Sequence, residues 1–427
     1  MTRTDLAYVA SSTLSMLGNS MTAVVLPLVV LQTTGSVVSA GFLALATGLP
    51  QFLASAVGGV VLDRVNRKSV AIFGDVVSAI AVAALPIIAV TSGLSIGWFV
   101  AFGVLSAIGD VPAMTAREAL VPQLSRATGT RTESLVSARE GLSSVAVILG
   151  PAIAGGLMAL TTPTAALWVT AATSALAALA MLAIPSPLGQ PLRSPGADGL
   201  RPLREFGEGL RYLFIEHRAL RAVTLVAVPL IGGIGVLQGL ALPVYFTEIG
   251  RPGSTGMTLS ALAVGTLLGA GVYGAASARA RARSFLVAGM ALLVAGVWLL
   301  ATLAGLAMVL VAVALIGVGS GLVSALFGVL SLNLSRSSMQ GRVLGNQNAL
   351  TLGIAPFATL GVSLLIAGRG TSAGIILTAG VLSAVALYSL LTPSLRRQAL
   401  ETPATGPSPN SDSTPSLSSV ACGSAQS

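Results

Sequence analysis

Two aspartates stand inside long apolar stretches of this sequence, where a charged side chain is costly. Asp75 and Asp110 are each flanked on both sides by apolar and small residues. An ionised carboxylate in hydrocarbon costs roughly 3 kcal/mol on insertion scales unless it pairs with a base or faces water. A carboxyl group in such a place can take up and release a proton, so both acids are candidate proton-coupling groups. The alternative is a structural network with nearby charges such as Arg117, Arg139 and Glu140.

Three uncharged polar side chains also interrupt the apolar stretches: Asn19, Gln51 and Gln238. The first two fall near the centres of their stretches, and Gln238 lies closer to one end. A polar side chain at that depth either faces a cavity, where it can contact a small molecule, or hydrogen-bonds a neighbouring helix. The sequence leaves both interpretations open, and the three residues are candidate cavity residues.

The composition predicts that membrane-spanning helices position these residues. Of the 427 residues, 54% are apolar and 9% are charged, whereas about 25% are charged in an average soluble domain. A soluble enzyme, a disordered chain and a secreted disulfide scaffold are thereby excluded. Cys422 is the only cysteine and His217 the only histidine, which argues against a metal site built from these residue types, and no cofactor is expected.

Charge clusters and turns divide the chain into twelve apolar segments of about 20 residues, the length that crosses a bilayer. The predicted spans lie near residues 6–31, 37–62, 69–90, 96–115, 137–160, 165–184, 222–246, 257–278, 284–303, 306–333, 345–367 and 373–391. The sequence thus predicts an all-α membrane protein with twelve transmembrane helices in two six-helix halves. The halves are 1–184 and 222–395, joined by a linker, 185–221, and followed by a disordered tail, 396–427.

The basic residues predict the orientation of these spans. Of the 23 bases, only Arg251 and Arg369 fall in the loops of one side, and the rest lie on the other. The positive-inside rule then places both termini in the cytoplasm of a bacterium, with the protein in the inner membrane. Asp75 and Asp110 lie toward the cytoplasmic ends of their spans, about 7–9 Å from the boundary at 1.5 Å per residue. The net charge of +9 needs no nucleic-acid partner to explain it.

The linker combines two patterns. It begins with four prolines and continues with an apolar stripe at helical spacing, which predicts a helix along the membrane surface. The stripe comprises Leu203, Phe206, Leu210, Leu213 and Phe214. A mechanical connection between the halves is one interpretation, and a regulatory partner site is the other.

The loop between spans 2 and 3, residues 59–68, carries the most specific motif; we call it the signature loop. Its marked residues are Gly59, Asp63, Arg64, Arg67 and Lys68. The glycine permits close approach of a helix, the acid can cap a helix or pair with a base, and the bases can hold the loop at an anionic leaflet. The alternative is an ordinary positive-inside loop.

This motif resembles the signature loop of the major facilitator superfamily, apart from Asn66, where glycine is usual. The resemblance implies the two six-span halves and the central linker. In the second half, residues 274–283 keep the bases and lack the acid. The resemblance further implies that Asp63 contacts the start of span 11, near residues 341–345, and holds the cytoplasmic side shut as a conformational gate.

Shorter motifs resemble the macrolide and siderophore exporter branch of drug:proton antiporters. They occupy residues 15–19, 34–36, 116–122 and 341–343, together with Pro50. Span 5 carries a Gly-Pro motif, Gly150, Pro151 and Gly155, with Ala154 in place of one glycine. Two features depart from the pattern. Position 19 is asparagine, where the branch has an acid, and span 4, predicted to end near residue 115, lacks the intramembrane arginine of the multidrug branches.

Together these features predict a proton-coupled exporter of an amphipathic, hydrophobic small molecule. Asn19 is the first choice for the cavity, because span 1 usually lines it in the superfamily. No phosphate-binding loop is present, so ATP does not drive the process directly. Uptake of a small metabolite and a non-transporting sensor are the alternatives, and nothing indicates an enzyme. A monomer suffices for this fold.

Overall fold

The computed structural model describes residues 1–62, 65–190, 201–336 and 339–393, and the side chains of these except 56–62, 163, 201–203, 205 and 341. This part of the chain is built from helices. The α helices are α1 (Arg3–Thr34), α2 (Val37–Leu62), α3 (Arg67–Thr91), α4 (Ile96–Thr128), α5 (Thr132–Leu160), α6 (Pro163–Leu182), α7 (Arg201–Arg211), α8 (Arg218–Val236), α9 (Leu242–Glu248), α10 (Ser254–Ala276), α11 (Ala282–Ala301), α12 (Leu306–Leu334), α13 (Gln340–Arg369) and α14 (Thr371–Leu391).

Twelve of these stretches are long and apolar enough to cross a membrane, as the sequence predicts. The seventh runs over Arg218–Glu248 and comprises α8, a π-helical turn at Leu237–Ala241 and α9. A π turn inserts one extra residue into a helix and changes the direction of the side chains beyond it. Gln238 lies within this turn.

Several helices extend beyond the apolar segments, and here the predicted boundaries are wrong. The fourth helix continues to Thr128 instead of ending near residue 115, and the fifth begins at Thr132 instead of 137. Charged residues mark the end of an apolar segment, but they do not break backbone hydrogen bonding. What ends α4 is Gly129, whose positive φ of 71° forms a left-handed cap.

Because the spans number twelve and alternate in direction, the first begins and the last ends on one face of the bundle, which we call the chain-end face. Among the first six spans, α1 packs on α5 and α6, α3 on α4 and α6, and α2 on α4. Among the last six, α10 and α11 pack on α12, and α14 packs on α8, α11 and α13. The two sets meet along α2 with α13, along α5 with α10, and where α1 meets α9.

The seam between α2 and α13 relies on small residues. Gly41 packs directly against Ser363 and Gly48 against Pro356. Nearer the chain-end face, the ring of Phe52 lies against Gly353. This seam is therefore closed from the far end of α2 at least as far as Phe52.

The seam between α5 and α10 also contains close contacts between small residues. Gly155 lies against Gly253 and Gly256, and the Ser260 hydroxyl donates a hydrogen bond of 2.7 Å to the Ile148 carbonyl. These contacts lie in the half of α5 farther from the chain-end face. Gly141, nearer that face, has no atom close to the position of a Cβ.

The tightest approach within the first six spans is the crossing of α3 and α4. A Cβ at position 74 would overlap the Gly109 carbonyl oxygen and would lie 2.6 Å from the Ala113 methyl group. Since Asp75 and Asp110 each follow one of the crossing glycines, this contact sets the distance between the two acids.

We expect Gly74→Leu to destabilise the protein, because the new side chain has no space between α3 and α4. Overpacking of this kind costs about 1–3 kcal/mol or more. The measurement is the melting temperature and the yield of monodisperse protein in detergent. Gly361→Leu is the matched control, since Gly361 lies on an exposed side of α13 with no neighbouring atom. Equal melting temperatures for the two variants would contradict the crossing.

Candidate functional site

A buried ion pair joins α3 to α4. The Arg117 guanidinium donates to Oδ2 of Asp75, and the two side chains are 5% and 3% exposed. The Ser15 hydroxyl, from α1, donates to Oδ1 of Asp75 at 3.0 Å. Both carboxylate oxygens are thus satisfied, and the base supplies the opposite charge that a buried acid requires. Asp75 is therefore held as one half of a fixed pair.

Helix α1 lines one side of this pair with polar groups. The Tyr8 hydroxyl donates to the Arg117 carbonyl at 3.0 Å. Positions 8, 15 and 19 are spaced so that they share one face of a helix. Asn19 therefore lies one turn beyond Ser15 on the same side of α1.

Toward the chain-end face, charged residues of α4 and α5 continue this network. Arg139 contacts Glu140 and lies 3.6 Å from Glu118. Arg139 also interacts with the Tyr8 hydroxyl. Both glutamates are more than half exposed, whereas Arg139 is 16% exposed. The polar network thus runs from a buried acid to accessible carboxylates.

Asp110 has a different environment from Asp75. It is partly exposed, and its Oδ2 accepts a hydrogen bond of 3.1 Å from Ser106. The Ser106 hydroxyl lies 2.8 Å from that of Ser78 on α3. Within the described chain no base forms an ion pair with Asp110. Its protonation state can therefore change without breaking a salt bridge.

The structure also describes part of the signature loop. Asp63 and Arg64 lie outside the described residues, and Gly59 lies in α2 with its contacts undescribed. The Arg67 guanidinium donates to the Ala119 carbonyl at 2.9 Å, and the buried Lys68 donates to the Leu182 carbonyl at 3.0 Å. Both bases therefore bind backbone carbonyls of the protein, and the expected role of the loop's bases at the lipid leaflet stays a prediction.

Lys68 and Asn66 have local roles that their sequence motif does not specify. Leu182 is the last residue of α6, and a cation there interacts favourably with the partial negative charge of the helix end. The side-chain oxygen of Asn66, Oδ1, caps α3 by accepting from the Ser69 N–H, while its side-chain amide nitrogen donates to the Ser186 carbonyl at 3.0 Å. The Asn66 side chain therefore forms two hydrogen bonds that the glycine usual at this position of the motif could not form.

The three amide side chains are half-buried, and none has a hydrogen-bond partner within the part of the chain that the structure describes. Helices α1 and α2, which carry Asn19 and Gln51, both contact the π turn that carries Gln238. The elements bearing these amides are therefore neighbours. The same described residues include no group of three acids, histidines or cysteines that could hold a metal.

The Gly-Pro motif of span 5 packs against two helices. Gly150 lies directly against Ser20 of α1, and both Pro151 and Gly155 lie against Gly256 of α10. The motif therefore joins the first six spans to the last six at the α5/α10 seam.

Sequence reasoning missed the pairing of Arg117 with Asp75 and the two serines beside Asp110. The spacing of Ser106, Asp110 and Arg117 on one helix was the available signal, since these residues share a face once α4 is known to continue past residue 115. Their partners on α3 are distant in the sequence, so spacing alone could not identify them.

We expect Arg117→Gln to lower the unfolding free energy by about 3–5 kcal/mol, because it leaves a buried carboxylate without its base. Thermal melting in detergent measures this loss. The double variant Asp75→Asn with Arg117→Gln should recover part of it, since no buried charge is then left unpaired. The control is Arg131→Gln, which removes an exposed pair with Glu133 and should cost about 0–1 kcal/mol. Equal losses for the buried and exposed pairs would contradict the assignment.

Comparison with known proteins supports a specific family. A family model described as the Major Facilitator Superfamily matches residues 8–248. The multidrug efflux pump Tap of Mycobacterium tuberculosis is 27% identical over 383 residues, covering 89% of this chain and 91% of that pump. The pump of the same name from Mycolicibacterium fortuitum is 27% identical over 355 residues, covering 82% and 85%.

Solved transporter structures share the fold. A mutant form of the nucleoside transporter NupG superposes with a TM-score of 0.75 at 13% identity, covering 90% of this chain and 98% of that one. A D-xylose-proton symporter gives a TM-score of 0.71 at 15% identity, covering 92% and 98%. With twelve candidate spans and a family match over more than half of its length, the chain belongs to the Major Facilitator Superfamily of membrane transporters.

Proposed function

We propose that this protein exports amphipathic, hydrophobic small molecules across the bacterial inner membrane by alternating access, with a proton moving in exchange. The observation that carries the proposal is the match over most of the chain to proteins named multidrug efflux pumps, in a chain whose twelve spans form two packed sets. The two sets meet at seams of small residues, along α2 with α13 and along α5 with α10. Two sets that meet at such seams are the arrangement that alternating access requires.

The two moving bodies are the first and last six spans. Packing supports this division, because most helices have their main neighbours in the same set, while α2 and α13 pack mainly on each other and form one of the few seams between the sets. The bases at Arg126, near the end of α4, and at Arg279, Arg281 and Arg283 before α11 favour a cytoplasmic chain-end face. A cavity between the two sets would take up cargo when it opens to this face.

The proposed cargo class rests on three uncharged polar side chains within the spans. Asn19, Gln51 and Gln238 offer hydrogen bonds without charge, and the surrounding helices are apolar. A site of this kind suits a largely neutral, hydrophobic molecule with a few polar groups. The name multidrug efflux pump, given to relatives that match most of this chain, agrees with such cargo.

Asp110 is the proposed proton carrier. Asp75 would have to leave a buried ion pair in order to accept a proton, whereas Asp110 is partly exposed and bonded to a hydroxyl. Asp75, Arg117 and Ser15 then form the fixed part of the network beside it. The Asp63 gate expected from the family resemblance remains part of the proposal.

Uptake is the second candidate, because solved structures with this fold include a transporter named a D-xylose-proton symporter. A fold does not fix the direction of transport. The relatives of higher identity carry the efflux name, which favours export.

The direct test uses inside-out vesicles energised to give a proton gradient and supplied with dyes, macrolides and siderophores. We expect accumulation of at least one hydrophobic compound and its loss when a protonophore is added. If accumulation continues in the presence of the protonophore, the protein is an exporter whose transport is not coupled to protons. No accumulation in these vesicles, together with uptake in intact cells, would favour the second candidate.

In the same assay, Asp110→Asn should abolish the gradient-driven component, because the amide cannot exchange a proton. Asp110→Glu is the matched control and should retain part of it. If transport by the Asp110→Asn variant still depends fully on the proton gradient, Asp110 is not the proton carrier.

The state with the chain-end face closed can be predicted from the register of α5 and α10. Gly155 meets Gly253 and Ile148 meets Ser260. Continuing this antiparallel register by helical turns places Gly141 opposite Leu267, and Ser137 opposite Gly271. The open space at Gly141 then receives the half-exposed Leu267 side chain.

We therefore expect the pair Ser137→Cys with Gly271→Cys to form a disulfide when the chain-end face closes, and the disulfide to stop transport. The background carries Cys422→Ser, which removes the native cysteine. The measurement is gel mobility after oxidation, together with transport before and after reduction. The pair Ile148→Cys with Ser260→Cys is a control that is already in contact. Full transport by the cross-linked protein would contradict this closing surface.

A further inference from the structure

The turn that joins α10, the eighth span, to α11 lies at the chain-end face and carries a cluster of exposed bases. We call residues 279–283 the arginine turn, after Arg279, Arg281 and Arg283. The intervening Ala280 and Ala282 pack inward against the core. On either side of the turn, the rings of Tyr273 and Phe285 meet edge to face with their centroids 5.0 Å apart. The turn is therefore fixed on its inner side, while its three charged side chains are accessible.

The protein supplies no acid to pair with these bases. No aspartate or glutamate occurs between Glu248 and Glu401, so the last five spans and their loops contain none. The linker acids whose side chains are described are already paired, Glu208 with Arg342 on α13 and Glu216 with an arginine of the linker itself. Among the residues that the structure describes, none forms an ion pair with the arginine turn.

The corresponding loop of the first half treats its bases differently. There, Arg67 donates to the Ala119 carbonyl, and the buried Lys68 donates to the Leu182 carbonyl. Those two charges are therefore satisfied by the protein itself. The arginine turn has neither such acceptors nor an acid within the described chain, so its charges remain available for an anion from outside the protein.

Exposed apolar faces on both neighbouring helices lead to the arginine turn. The stripe on α10 comprises Val264, Leu268 and Val272. Leu268 is 58% exposed and lies half a turn around the helix from the buried Leu259, so this stripe faces away from the bundle. On α11, the exposed Val287 lies one turn beyond Arg283, and Trp298 follows on the same face. Faces of this kind contact the acyl chains of the bilayer, and both end at the arginine turn.

We propose that the arginine turn binds the phosphate of an anionic phospholipid in the leaflet at the chain-end face. The planar guanidinium groups donate charge-assisted hydrogen bonds to the phosphate oxygens. The acyl chains lie along the exposed apolar faces of α10 and α11. A lipid phosphate thus does for the second-half loop what backbone carbonyls do for Arg67 and Lys68 in the first. This inference concerns the lipid and not the cargo, so it holds whatever the cargo and its direction.

The first test is native mass spectrometry of the whole protein in mild detergent, which counts bound lipids as phosphatidylglycerol or zwitterionic phosphatidylcholine is added. We expect the parent protein to bind phosphatidylglycerol about tenfold or more tightly, because each base near an anionic surface contributes about fivefold. The triple variant Arg279→Gln, Arg281→Gln and Arg283→Gln should lose this preference. Equal binding of the two lipids by the parent protein would overturn the proposal.

The matched control removes the same charge from three exposed arginines that each already pair with a glutamate. It is the triple variant Arg131→Gln, Arg204→Gln and Arg211→Gln. This control should keep the preference of the parent protein. Equal losses in the two triple variants would mean that binding follows net charge alone, and the assignment to the turn would be wrong. If the triple variant of the turn does not fold, each single replacement should still weaken binding by about fivefold.

A competitor distinguishes a lipid from a free phosphate. Glycerol 3-phosphate carries the charged group without acyl chains, and we expect it not to displace phosphatidylglycerol at equal concentration. Displacement would show that a soluble anion occupies the turn and would overturn the assignment to a lipid.

The second test is thermal melting in detergent. Without added lipid the parent protein and both triple variants should melt together, since all six arginines are exposed. A ligand that binds the folded state raises the melting temperature, so phosphatidylglycerol should raise it for the parent and the control and not for the variant of the turn. An equal rise in all three proteins would contradict the site.

These measurements need no transported cargo. Failure of the vesicle assay would therefore overturn the proposed function and leave the lipid site to be decided by binding alone.

Discussion

A charge placed among apolar helices needs its partner on a neighbouring helix, and the contact of Arg117 with Asp75 meets this requirement. The pair costs free energy to bury and is stabilising only when the geometry and the remaining hydrogen bonds are good. From α1, Ser15 donates to the second carboxylate oxygen of Asp75, and the Tyr8 hydroxyl donates to the backbone carbonyl of Arg117. Three helices are therefore held together by one buried network, and the glycine crossing of α3 with α4 is what lets the network form. Asp110 lies beside it without an ion-pair partner in the described residues, which separates the roles of two acids that look alike in the sequence.

The seams between the two sets of spans depend on another constraint, the closeness of helix backbones. Within a membrane there is little hydrophobic drive for helices to associate, so small residues that permit close packing become important. Glycines line both seams, at Gly41 and Gly48 on α2 and at Gly155 and Gly256 between α5 and α10. Contacts between small residues interlock few side chains. They therefore allow a seam to separate and close again at modest cost, as a transporter requires.

The helices could be predicted from the sequence, but the contacts between them could not. The thickness of the bilayer sets the length of each apolar segment, so the twelve spans and their order were predictable. The ends of the helices were not, because charges such as Arg117 and Glu118 mark a change of polarity and not the end of α4. The pairing of Asp75 with Arg117 and of Glu208 with Arg342 depends on how helices distant in the sequence pack together. Lys68 shows the same limit, since a motif rich in bases does not reveal that one of them is buried against the end of α6.

Lys68 has a practical consequence, since it is the only lysine in the chain and only 7% of its surface is accessible. A reagent that acylates primary amines would reach the Lys68 amine only slowly, because the Leu182 carbonyl and Ser186 shield it. Acylation of this one lysine would therefore follow the rate at which the junction of α3, α6 and the linker opens. The protein carries a built-in chemical reporter of that junction, read by mass spectrometry at a single residue.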